Sequence, residues 1–133
     1  MKTSELTGVA LDWALAKCEG FDVEYEKDRN DFWFIRTNHA QQFLPPFGYL
    51  SEVFHPSENW SQGGEIIERE SISLAYRPKD ARGLWCAVLG PNRFLSPDFE
   101  GYGPTPLIAA MRCYVASKLG DDVTLPPELE QTA

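Results

Sequence analysis

Leu107, Ile108, Met111, Tyr114, Val115 and Leu119 recur at the three- and four-residue spacing of a single helix face. Both ends of that helix are written into the chain. Thr105 can cap it by accepting a backbone N–H, and Pro106 suits the first helical position, where a missing N–H costs nothing. Gly120 can take the left-handed conformation that stops it. Leu6, Val9, Ala10, Trp13 and Ala16 predict a second helix near the start, capped by Thr3 or Ser4 and ended by Gly20. A third, shorter helix is predicted from Ser57 or Asn59 to about Glu70. Gly63 and Gly64 lie inside it and cost on the order of 1 kcal/mol each relative to alanine. Such a pair implies close packing against another backbone, a distorted first turn, or both.

The remaining pattern is that of strands and loops. Phe21–Lys27 alternates apolar with charged residues, as a half-exposed strand does. The polar turn Asp28–Asp31 leads into a largely buried strand over Phe32–Thr37, so the two predict a hairpin. Ile72–Tyr76 and Leu84–Gly90 predict a second pair joined by a polar turn. Pro91–Pro104 holds three prolines and two glycines and reads as a loop. Residues 38–56 are irregular, because Pro45, Pro46 and Gly48 forbid long regular structure, yet they are too apolar for a free loop. They are expected to lie across the core edge or to form a partner surface, with Phe43, Phe47, Tyr49 and Phe54 as candidate contacts. A homodimer through this segment is one form such a contact can take.

The order is therefore α-β-β-α-β-β-α. Short turns between neighbouring strands predict a largely antiparallel four-stranded sheet covered by helices, an α+β domain over residues 1–133 with a frayed tail at 125–133.

Composition narrows the function. With 43% hydrophobic and 13% aromatic residues, 133 residues can bury one core without metal or disulfide staples. The formal net charge is −8, from 12 Lys+Arg against 20 Asp+Glu, which disfavours nucleic-acid phosphates and anionic membranes as partners. Cys18, Cys86 and Cys113 are far apart and sit in apolar surroundings, as buried thiols do in a reducing compartment. Glu5, Asp12 and Lys17 interrupt the apolar run that a signal peptide needs, and no stretch is apolar enough for a transmembrane helix. A cytosolic location is expected.

Candidate chemistry is sparse. His39 and His55 stand outside any metal or nucleophile motif and read as solvated or edge-capping residues. Glu65, Glu68 and Glu70 read as a solvated helix face. No catalytic residue, metal site or cofactor is predicted. The strongest ligand signal is the start of the last helix, where backbone N–H groups and the helix dipole attract anions. Asn92, Arg93, Tyr102, Thr105 and Arg112 are candidates to hold a nucleotide-like small molecule there. Trp60 and Gln62, beside the glycine pair, can form a second recognition surface. The competing reading places Trp60 in the core with Gly64 and Ile67, as periodicity also places Trp13, Trp33 and Trp85.

Three stretches carry a family resemblance: Met1–Gly20, NWSQGGEIIERESISL (Asn59–Leu74) and GPTPLIAAMRCYVASKLGDDV (Gly103–Val123). Together they resemble the NinX-like tailed-phage proteins of unknown function, over nearly the whole chain. Glu65 stands where a proline is expected after the glycine pair. The resemblance implies a phage- or prophage-encoded accessory protein acting in the bacterial host cytoplasm, and it implies no catalytic residues. The function expected is that of a non-enzymatic protein that binds a host or phage protein, with modulation of host defence as a purpose. Two alternatives stand beside it: a binder that sequesters a nucleotide-like signal, and a role in phage DNA metabolism.

Overall fold

A computed structural model describes residues 1–21, 23–25, 33–35, 54–126 and 129. A short 3-10 turn over Thr3–Glu5 leads into α1, Gly8–Cys18. The predicted cap is displaced: Thr7 stands at the start of α1, and the Thr3 hydroxyl instead donates to the carbonyl of Gly120 at 2.6 Å. Gly20 ends α1 as expected. Its φ of +85° lets Phe21 N–H return to the Ala16 carbonyl while its own N–H bonds Lys17.

Strands β1 (Val23–Tyr25) and β2 (Trp33–Ile35) form the expected antiparallel hairpin, with Val23 opposite Ile35. The connecting turn lies outside the described residues, as do Phe43, Phe47 and Tyr49. Helix α2 (Trp60–Glu70) begins at Asn59, whose side chain accepts the N–H of Gln62. Ser71, left-handed at φ 56°, ends it and turns the chain into β3 (Ser73–Tyr76). β3 pairs with β4 (Trp85–Leu89), which pairs with β5 (Phe99–Gly103), all antiparallel.

Among the described residues the expected four-stranded sheet does not form. The described residues build a two-stranded hairpin and a separate three-stranded sheet in the order β3-β4-β5. β5 lies within the stretch read as loop. Its glycines obscured it, because glycine is a poor strand former in isolation. Their purpose is contact. A Cβ on Gly101 would fall on the Ala109 carbonyl and the Cys113 amide, and one on Gly103 would meet Ala109 and Ile108.

Those contacts belong to α3 (Pro106–Leu119), capped by Thr105 through the N–H of Ile108. α3 is buried on nearly every side: Leu107, Ala109, Ala110, Met111, Cys113, Tyr114 and Val115 are all inaccessible. The sheet lies against its small residues, while α1 and α2 also pack on it. Gly120 ends it with φ 86° and ψ −168°, a glycine conformation outside the left-handed helical region that was expected.

Leu6, Leu11, Trp13, Leu15, Ile66, Met111 and Val115 make the centre of the core. Lys2 pairs with Asp122, and Thr3 N–H donates to the Asp121 carbonyl. In the terminal segment read as frayed, Leu125 and Leu129 are buried, as is Val123 just before it. Trp85 packs half-buried against the core; the Trp33 side chain lies outside what is described. Trp60 is the correction among the tryptophans: it is 56% exposed.

Candidate functional site

Two helix starts meet at one cleft. Ser57, Glu58 and Trp60 line it from the approach to α2, and Thr105, Pro106, Leu107 and Ile108 line it from the start of α3. Its volume is about 320 Å³. Gly63 makes the approach of the two helices possible, because any side chain there would strike the Pro56 carbonyl and Leu107. The expectation that the glycine pair marks close packing therefore holds for Gly63; Gly64 meets only the Trp60 ring, at the edge of contact.

The wall on the α2 side is a turn fixed from three directions. The backbone N–H of His55 donates to Gln62 Oε1 at 2.6 Å. The His55 carbonyl accepts the N–H groups of Glu58 and Asn59. The Ser57 N–H donates to Asp12 Oδ1 at 3.0 Å, and His55 Nδ1 lies 3.5 Å from Asp12 Oδ2. Asp12 is 3% exposed. Burial pushes its carboxyl up to about 6, against the opposing pull of its Ser57 contacts and of His55. Little in the sequence signals this arrangement. Asp12 stood out only as a charge within an apolar helix, and His55 as a lone loop histidine.

The predicted ligand residues do not converge. Trp60 and Thr105 share the cleft. Gln62 sits behind it, holding His55. Tyr102 and Arg112 line a different and smaller cavity, about 70 Å³, with Thr3, Ser4, Glu100, Gly101, Ala116 and Asp121. Arg112 is committed there to the fold: Nε donates to the Leu6 carbonyl and a terminal nitrogen to the Tyr102 carbonyl, both at 2.8 Å. Burial pushes its guanidinium below its ordinary pKa. Asn92 and Arg93 are exposed in the turn after β4 and line neither cavity. Phe54, a candidate partner contact, is half-buried and edge-on to Phe21, with ring centroids 5.6 Å apart.

The start of α3 offers little to an anion. Thr105 Oγ1 holds the Ile108 N–H, and Pro106 has no N–H. Among the described residues, Glu58 is the only charged side chain in the lining. Among the described residues, no group of three or more His, Cys, Asp and Glu side chains is placed to hold a metal ion.

Fold and cleft together describe a small α+β protein with a largely apolar cleft that holds one exposed indole and, among the described residues, one carboxylate. The sequence supplies the rest: a family model described as Bacteriophage P22, NinX matches residues 2–118. The chain belongs to this phage family. No curated protein matches it.

Proposed function

We propose that this chain is a phage accessory protein that works by binding a protein of the host or of the phage, rather than by catalysis. The exposure of Trp60 carries this reading. An indole has more apolar surface to bury than almost any side chain, and here over half of it faces solvent at the rim of an apolar cleft. Trp60 also starts from a rigid base, on a capped helix behind a turn fixed by Asp12 and Gln62. Rigid, exposed tryptophans beside apolar pockets are the residues that dominate binding energy at protein interfaces. Asp12 and His55, the pair that most resembles acid–base machinery, are occupied in holding that turn.

The setting that fits is the host cytoplasm during infection, with modulation of host defence as one such role. Family membership supports it, and the three cysteines are free thiols, as a reducing compartment would keep them. No helix among the described residues is long and apolar enough to cross a membrane.

The test uses two baits, the wild-type chain and Trp60→Ala, against lysates of host cells before and after infection. A protein held by the wild type, reduced at least about tenfold by the substitution, and binding directly once purified is the expected result. A set of retained proteins identical for both baits overturns the reading.

A further inference from the structure

We infer that the cleft between the starts of α2 and α3 receives an arginine- or lysine-bearing segment of its partner protein, an inference that rests on the protein-binding reading above. The argument is one of charge. Glu58 is exposed, and among the described residues it is the only acidic group in the lining and no Arg or Lys lines the cleft. An anion entering it meets a carboxylate and, among the described residues, no counter-charge. The two helix ends reverse that only in part, because three of their N–H positions are taken or absent: Asn59 already holds the Gln62 N–H, Thr105 holds the Ile108 N–H, and Pro106 has none to offer.

A cation finds two partners at once. It can lie over the face of the Trp60 ring and pair with Glu58, while the methylenes of its stem cover Pro106, Leu107 and Ile108. The charge also continues beyond the cleft. Glu65 and Glu68 follow Glu58 on the exposed side of α2, one turn apart from each other. Among the described residues, no cation pairs with Glu58, Glu65 or Glu68; Arg69, their neighbour, is taken by Glu19 and Glu70. A peptide segment can therefore place one basic side chain in the cleft and others along α2. The net charge of −8 adds a long-range pull on such a partner.

The experiment is an NMR titration of the full chain, read at the Trp60 indole N–H, which is identified by its loss in Trp60→Phe. The probes are acetyl-Gly-Leu-Arg-Leu-Arg-Gly-amide, the same peptide with glutamate in place of arginine, and adenosine monophosphate. The arginine peptide is expected to give a saturable shift that fades in about 0.5 M salt, with no shift from the other two. Glu58→Gln is expected to weaken it about threefold and Trp60→Ala, read instead at the backbone amides of Leu107 and Ile108, at least about tenfold, both with an unchanged melting temperature. Equal binding of the glutamate peptide, a nucleotide shift at Trp60, indifference to Glu58→Gln, or no saturable binding by the arginine peptide each overturns the inference. If the arginine peptide fails while Trp60→Ala still loses the cellular partner, the protein-binding reading stands and only the basic chemistry falls.

Discussion

The carboxylate of Asp12, in the middle of α1, holds the backbone N–H of Ser57 at 3.0 Å across 45 residues of chain. This bond fixes the turn in front of Trp60, and it keeps a titratable group out of water. Because burial lifts the Asp12 pKa from 3.8 to about 6, the folded state binds more protons than the unfolded state between those values. The Asp12 contribution therefore favours the fold most below about pH 4, declines as the pH rises to about 6 and is flat above, a change on the order of 3 kcal/mol. Asp12→Asn keeps an acceptor for Ser57 and cannot ionise. It is expected to remove that slope and to exceed the wild type in stability at neutral pH, measured by urea unfolding from pH 4 to 8. An equal slope in both proteins would sink the account.

Gly101 has no room for a methyl group, since the Ala109 carbonyl and the Cys113 amide occupy the place. Both obstacles are backbone and cannot rotate away. Gly101→Ala is expected to separate β5 from α3 and to cost about 3 kcal/mol or more, read as a drop in the urea midpoint. Gly64→Ala, whose new methyl meets only the Trp60 ring at the edge of contact, is expected to be neutral or stabilising, because alanine favours the helix.

Arg112 ties α3 to the Leu6 carbonyl and to β5. Arg112→Met keeps most of the side-chain volume and removes both bonds, leaving two carbonyls short of a donor. A loss of about 2 kcal/mol in unfolding free energy is expected, with binding at the Trp60 cleft unaltered once the folded fraction is accounted for. Loss of binding with full stability would show that Arg112 faces a ligand after all.

The thiols give a separate check on the core. Burial pushes Cys18 and Cys113 up to about 12, far from the thiolate form that reacts, and Cys86 and Cys113 are both inaccessible. Iodoacetamide at pH 7.5 is expected to leave all three largely unmodified in the native protein and to label all three in urea, as counted by intact mass. Rapid labelling of Cys113 in the native state would contradict the packing of α3 against β5.

Much of the fold was legible in local signals. Thr105, Pro106 and the apolar repeat define α3 from within a dozen residues, and Asn59 does the same for the start of α2. The parts that misled depend on distant partners. Gly101 and Gly103 look like loop residues until α3 is set against them, and Asp12 looks like a surface charge until Ser57 arrives. Trp60 shares a helical face with Gly64 and Ile67, which pointed to the core. Side chains on a helix lean toward its N-terminus, so a residue in the first turn overhangs the end of the packed part. That overhang turns a core position into an exposed one.

The pairing of Lys2 with Asp122 bears on the order of events during synthesis. Thr3 is made more than a hundred residues before its backbone partners, because it bonds to Gly120 and Asp121. α3, on which α1, α2 and the three-stranded sheet pack, follows all of them in the chain. α1 and the sheet must therefore wait with apolar faces uncovered until it appears, and this fold can close only after α3 has been made.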